Sequence, residues 1–247
     1  MSIYNDLGSK YDLYIDWDRR LSAEIPFLRK LLARNQAKKV LDVGCATGRH
    51  AIELKKLGFE VFGMDESDRL IKAAKQNALK EKEYVTFNQL SMLDIAKHPA
   101  KPFDSVMMLG NIISLLDDQK QALDFFKDAK EVLKIGGTLI VQTINYRLMN
   151  QTQKQFELIN TSDENTLFVK VFNLDKDSSR LSVLMLEKEG DLWNMTESTN
   201  EIMAFRKEDL VRFASRSKYG SISMYGKLDG SPFKPESSEQ LIAVFQK

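Results

Sequence analysis

Val40-Leu41-Asp42-Val43-Gly44-Cys45-Ala46-Thr47-Gly48-Arg49-His50 decides how this chain folds. A short apolar strand carries an acidic residue near its end, and a tight turn with Gly44 and Gly48 follows. An amphipathic helix then begins, with Ala51, Ile52, Leu54 and Leu57 at helical spacing. Glycine at a strand-to-helix turn permits positive φ and lets a ligand approach the backbone closely. A second strand, Glu60 to Met64, ends at Asp65, twenty-one residues after Gly44. A carboxylate at that point can accept both hydroxyls of a ribose. Two phosphate-binding turns are excluded. G-x-G-x-x-G needs glycine where Ala46 stands, which also argues against a nicotinamide-dependent oxidoreductase, and no Gly-Lys-Ser/Thr follows.

Outward from this unit the pattern alternates strand and helix from Lys39, which predicts a parallel sheet. Strands are expected near 39–44, 60–64, 84–90, 103–109 and 137–144. Ser67 can cap a helix whose apolar face is Leu70, Ile71, Ala74 and Ala78. Asp117 or Asp118 can cap another bearing Ala122, Phe125, Phe126, Ala129, Val132 and Leu133, with Gly136-Gly137 as its C-terminal stop. Before the sheet, residues 1–36 read as a helical arm with an aromatic cluster of Tyr4, Tyr11, Tyr14 and Trp17. Pro26 falls in the first turn of its second helix. After Asn145 the rhythm changes. Residues 166–174, 181–189 and 192–205 read as consecutive strands, separated by turn signals at Asp175-Lys176-Asp177-Ser178 and Glu189-Gly190-Asp191. Three strands without helices predict an antiparallel insertion. A helix near Lys207 to Arg216 and strands near Ser221 to Tyr225 and Leu241 to Phe245 complete the chain. The division is one domain over 1–247: arm 1–36, core 37–146, insertion 147–205 and C-terminal completion 206–247.

The strand, the Asp-x-Gly-x-x-x-Gly loop and the distant carboxylate together resemble motif I of class I S-adenosylmethionine-dependent methyltransferases, over about residues 10–146. The resemblance implies a doubly wound, mostly parallel seven-stranded α/β sheet (Rossmann-like), in the order 3-2-1-4-5-7-6 with the last-added strand antiparallel, the arm and the insertion serving as a lid. It implies S-adenosylmethionine as cofactor, held by the backbone of Gly44, Cys45 and Ala46 and by Asp65, with Glu66 beside it. Tyr11 and Arg20 of the arm are expected to cap it, and Ser91, Met92 and Leu109 to line the pocket from the third and fourth strand ends. The family's third strand usually ends in Asp followed by an apolar residue; here Ser91-Met92 stands there, with Asp94 three residues on. Leu109-Gly110-Asn111 is similar to glycine and sarcosine N-methyltransferases, as is Asn145-Tyr146, which makes Asn111 and Tyr146 the expected substrate contacts. Those relatives carry a His where Ser114 stands here. Enzymes that methylate planar nitrogens carry Asn/Asp-Pro-Pro-Tyr/Phe after the fourth strand; its absence argues against a flipped base as substrate.

Composition narrows the partners. The 247 residues carry a net charge of +1, so no global field favours nucleic acid or an anionic membrane. No run of about 18 apolar residues exists. Cys45 is the single cysteine, so no intrachain disulfide forms, and a cytoplasmic setting is the default. No Cys/His cluster suggests a metal site, and no residue is assigned as catalytic. His50, at a helix start that disfavours a protonated imidazole, reads as structural or as an edge of the cofactor site. The expected activity is methyl transfer to a small molecule, with an amine favoured. Methylation of an oxygen, an RNA or a protein, a non-catalytic cofactor-binding protein, and a homo-oligomer all stay open.

Overall fold

The computed structural model describes residues 7, 10–152, 155–160, 163–175 and 179–247. Tyr4 and the turn residues 176–178 lie outside them. Strands β1 (Lys39–Val43), β2 (Glu60–Asp65), β3 (Thr86–Gln89), β4 (Phe103–Met108) and β5 (Leu133–Ile144) run parallel. They join β10 (Ser221–Tyr225) and β11 (Gln240–Gln246) in one sheet of order β10-β11-β5-β4-β1-β2-β3. β11 is antiparallel to both its neighbours. This is the seven-stranded, doubly wound order expected.

Apolar runs rather than alternation mark these strands because both faces are covered. Leu41 and Val43 join one core, with Phe125, Phe126, Phe213 and Phe245. Val40 joins the other, with Leu28, Leu32, Ile52 and Ile71. The helices are α1 (Tyr11–Tyr14), α2 (Trp17–Arg34), α3 (Arg49–Lys56), α4 (Asp68–Lys80), α5 (Gln119–Val132), α6 (Tyr146–Thr152) and α7 (Lys207–Arg216). Ser67 Oγ accepts from Leu70 N at 3.2 Å and so caps α4, and Asp118 Oδ1 accepts from Gln121 N at 2.7 Å to cap α5.

Two expectations are corrected in these elements. Pro26 does not open a second helix but sits inside α2, which begins where Asp16 accepts from Arg19 N at 3.1 Å. Gly136-Gly137 does not stop α5, which ends at Val132 and passes directly into β5. Those glycines lie where β5 bulges: Phe103 pairs with Leu133, yet Ser105 pairs with Thr138. A Cβ on Gly137 would stand 2.9 Å from the Lys134 carbonyl oxygen.

Residues between β5 and α7 leave the core sheet and form a second, antiparallel one, of order β6-β7-β8-β9. Its strands are β6 (Phe156–Asn160), β7 (Thr166–Asn173), β8 (Ser179–Glu189) and β9 (Leu192–Ile202). The sequence pattern gives three of these. It misses β6, an edge strand whose Phe156 and Leu158 are exposed. Phe168, Lys170 and Phe172 stand opposite Met185, Val183 and Leu181, so they share the inner face, and Leu167, Val169 and Val171 point the other way. On return, Met203 N donates to the Ser114 carbonyl at 2.7 Å.

Phe87 of β3 fixes how closely β1 and β2 meet their covering helices. A Cβ on Gly63 would lie 2.6 Å from Phe87 Cδ1 and 2.9 Å from Cys45 Sγ. Gly63→Ala is therefore expected to lower stability by about 1–3 kcal/mol in chemical denaturation, and Phe87→Leu in the same chain to recover part of it.

Candidate functional site

The turn after β1 contains three left-handed residues, Gly44 (φ 68°), Ala46 (φ 48°) and Gly48 (φ 76°). A Cβ at Gly44 would approach Ile112 to 2.9 Å, and one at Gly48 would approach Phe87 to 2.6 Å, so glycine is demanded twice over. Gly44 N and Cys45 N both donate to the Met64 carbonyl, at 2.8 and 3.0 Å. Ala46 N donates to Asp65 Oδ2 at 3.0 Å, and Ser67 N donates to Asp65 Oδ1 at 2.9 Å. Asp65 thus bridges the two loops. Burial pushes its carboxyl above the usual range, and the two backbone N–H donors oppose that.

A narrow cleft of about 40 Å³ lies over this bridge. Tyr11, Gly44, Ala46, Asp65, Glu66 and Met92 line it together with the apolar Leu90 and Ile112. A carboxylate at one end and apolar side chains beyond it suit a ribose joined to a flat heterocycle. Six of the residues singled out in the sequence meet here. Four expected residues do not reach a cavity wall. Cys45 turns its sulfur toward Gly63, with the thiol pKa raised well above its usual value by burial. Ser91 caps the following turn by accepting from Leu93 N at 3.3 Å, and Leu109 packs with the helices below the sheet. Tyr146, the fourth, is treated below. Asp94, the alternative to Ser91, pairs with Lys97 at 2.7 Å.

The arm is tied to the glycine turn through Asp12. Its carboxylate accepts from Trp17 Nε1 (2.9 Å), Thr47 Oγ1 (2.5 Å), Arg49 (2.5 Å) and Asn77 Nδ2 (3.1 Å). In α2, Glu24 Oε2 holds Arg20 Nε at 3.1 Å and His50 Nε2 at 2.6 Å. Burial lowers the His50 pKa. Burial alone would raise that of Glu24, but the hydrogen bond from His50 and the charge of Arg20 hold it below the usual value. His50 is therefore a buried packing partner of Trp17, with ring centroids 5.7 Å apart.

A larger cavity of about 950 Å³ adjoins the cleft and shares Tyr11 with it. Arg20, Tyr14 and Glu24 of the arm form one wall, and Gly110, Asn111 and Gln142 at the ends of β4 and β5 form the floor. The second sheet roofs it with Lys170, Phe172 and Leu181. The two expected substrate contacts differ in how they meet this cavity. Asn111 lies on the floor, but its amide is fully engaged. Oδ1 accepts from Thr143 Oγ1 (2.9 Å) and Ile144 N (3.1 Å), and Nδ2 donates to Ser114 Oγ (2.9 Å) and the Tyr146 hydroxyl (2.8 Å). An amide has about four such bonds to make, so none is left for an acceptor. Tyr146 is 1% exposed and lines neither cavity; it positions Asn111. The sequence reading passed over Gln142, whose Oε1 accepts from Gly110 N at 2.7 Å and whose Nε2 donates to Gln240 at 3.0 Å. A glutamine after Leu139-Ile140-Val141, near the carboxyl end of a buried strand, was the available signal.

Among the described residues, no three His, Cys, Asp or Glu side chains cluster closely enough to hold a metal ion, and no helix is long and apolar enough to cross a membrane.

Residues 34–211 match a family model described as a methyltransferase domain. The chain is 32% identical over 140 residues to a glycine/sarcosine N-methyltransferase of Aphanothece halophytica, covering 57% of this chain and 53% of that one. It thus spans about half the length of the curated relatives it matches. A solved S-adenosylmethionine-dependent methyltransferase from Clostridium acetobutylicum superposes with a TM-score of 0.82 at 15% identity, over 99% of both chains. The CcbJ methyltransferase of Streptomyces caelestis superposes with a TM-score of 0.82 at 20% identity, over 99% of this chain and 97% of that one.

Asp42 offers a test of the electrostatics under the cleft. The residue is buried, 3% exposed. Burial pushes its pKa from 3.8 to about 8, the charge of Arg20 pulls it down, and Asp65 adds to the rise. The folded chain therefore keeps a proton that the unfolded chain releases. The resulting stabilisation is full below pH 3.8 and is lost as pH rises to about 8. Asp42→Asn removes this dependence, so denaturation of the two chains at pH 5 and pH 8 should show the variant gaining relative stability at the higher pH.

Proposed function

The chain belongs to the S-adenosylmethionine-dependent methyltransferases, and we propose that its acceptor is a small molecule that receives the methyl group on an amine nitrogen. The observation that carries this is Tyr11, a wall common to the narrow cleft and to the cavity of about 950 Å³. A donor held in the cleft meets an acceptor across that wall, and a cavity of this volume suits a small molecule. The name of the glycine/sarcosine N-methyltransferase relative supports an amine.

S-adenosylmethionine, when bound, supplies a methyl group already activated by its sulfonium. The remaining work falls to this chain's residues. Asp65 accepts from the ribose hydroxyls while keeping its bonds to Ala46 N and Ser67 N, and the glycine turn lets backbone approach the ligand. Met92 and Ile112 pack on the heterocycle. The arm, fastened by Asp12, and the roof of β6 to β9 exclude water from the line of transfer. Holding two reactants in this way supplies several kcal/mol of the barrier by proximity, roughly as in intramolecular reactions. A neutral amine needs no further activation.

Asp65→Ala should weaken S-adenosylmethionine binding by about 30-fold or more in calorimetry, since a bidentate, charge-assisted pair is worth on the order of 2–4 kcal/mol. Affinity within threefold of wild type would remove Asp65 from the cofactor site. A broad acceptor screen with labelled cofactor should return small amines, with kcat/KM rising toward the acceptor's own pKa. Methylation of a hydroxyl or a macromolecule, with every amine inert, overturns the acceptor assignment.

A further inference from the structure

The inner face of the roof sheet carries a lysine among apolar side chains, with Glu157 opposite it. Phe168 and Phe172 of β7 and Leu181 and Val183 of β8 are buried on it. Lys170 lies between the two phenylalanines and lines the larger cavity. An ammonium among apolar side chains is unfavourable unless something compensates it. The groups around it do so weakly. Glu157, opposite it on β6, forms an ion pair with Nζ through Oε2 at 3.6 Å, a long contact, and is itself half exposed. Val183, opposite on β8, carries no charge. Burial lowers the lysine's pKa, the Glu157 charge opposes that, and the Arg20 charge from the arm adds to the lowering; the Tyr14 ring lies 4.7 Å from Nζ. Nζ thus keeps one long ion-pair contact with Glu157 and lies over the Tyr14 ring, and it has donors left to face the cavity.

We propose that Lys170 anchors an anionic group on the acceptor, a carboxylate or a phosphate set apart from the amine, and so selects acidic amines over neutral ones. This rests on the reading of the acceptor as a small amine. Tyr14 carries the lysine on its ring and stands 6.0 Å from Tyr11, centroid to centroid. One aromatic layer therefore separates the ammonium from the wall where the methyl group crosses. Lys170 is placed to hold a remote part of the acceptor and leave the reacting nitrogen free. The cavity lining mixes charges, with Arg19, Arg20 and Lys227 beside Asp16, Glu157, Asp229 and Glu239, and Glu24 is engaged by Arg20 and His50.

The test compares ω-amino carboxylates, aminoalkyl phosphates and amino alcohols of matched length, on wild type, Lys170→Met and Lys170→Arg. Wild type should favour one acidic series over the alcohols by about tenfold or more in KM, and the two acidic series distinguish carboxylate from phosphate. Lys170→Met should raise KM for the acidic amine by about 30-fold with kcat within threefold, and abolish the preference over the alcohols. Lys170→Arg should keep most of the preference. Because Met fills the apolar face without an isolated charge, the thermal midpoint of Lys170→Met should be equal to or above that of wild type. Equal losses for acidic and neutral acceptors, or no acidic preference in wild type, overturn the proposal. Calorimetry of the same compounds with S-adenosylhomocysteine bound reads the anchor without turnover. If no amine is methylated, the proposed function fails; binding of the acidic compounds that is lost in Lys170→Met still supports the anchor, and binding indifferent to it overturns the anchor as well.

Discussion

A turn with no room for side chains governs the carboxyl edge of the sheet. Ile112 stands against Gly44 and Phe87 against both Gly48 and Gly63, so β1, β2 and the start of α3 can close only as a nearly bare backbone. Close approach is what lets Gly44 N and Cys45 N reach the Met64 carbonyl and Ala46 N reach Asp65. If the turn opened by the width of a methyl group, the Asp65 bridge would part, and with it the cleft floor. The arm depends on the same turn, because Asp12 grips Thr47 and Arg49 from outside it. One steric constraint thus sets the donor cleft, its carboxylate and the fastening of its cover.

Polar groups divide here into those used up in holding shape and those left to face a ligand. Asn111, Tyr146, Asp12 and the Glu24–His50 pair are all satisfied internally, and their worth lies in rigidity: buried networks of this kind fix one arrangement when complete. Lys170 and Arg20 differ, each carrying charge toward a cavity with incomplete compensation, and Asp42 lies buried as a carboxyl that keeps its proton up to about pH 8. Residues that look catalytic by type are therefore not the ones with free bonding capacity.

The methyltransferase core was legible because its signals are local. Glycines at fixed offsets, a strand apolar on both faces and a carboxylate at the next strand end need no tertiary information, and the cleft residues from Gly44 to Met92 follow from strand-end positions. What was not legible depends on partners far along the chain. The type of Asn111 is visible, but Thr143 and Tyr146, more than 30 residues away, decide what its amide does. In β7 both alternations are apolar, Leu167-Val169-Val171 and Phe168 with Phe172, so period two alone leaves the phase open until pairing with β8 resolves it. β6 hides because an edge strand with Phe156 and Leu158 outward reverses the usual alternation. Pro26 is compatible with a helix start or a helix interior, and only the packing of α2 separates the two.

The roof leaves and re-enters the core at one spot. Ile144 N, where the chain departs, donates to Asn111 Oδ1. Ser114, whose carbonyl receives Met203 N on the return, is held by Asn111 Nδ2. A single amide therefore staples both crossings, and the stretch between them is topologically an excursion from a closed circuit. Such an excursion can be lengthened, shortened or exchanged without changing the register of any strand in the seven-stranded sheet. The molecule is modular in this sense: the seven-stranded sheet keeps its register whatever the length of the sheet that roofs the larger cavity, so one core admits different roofs.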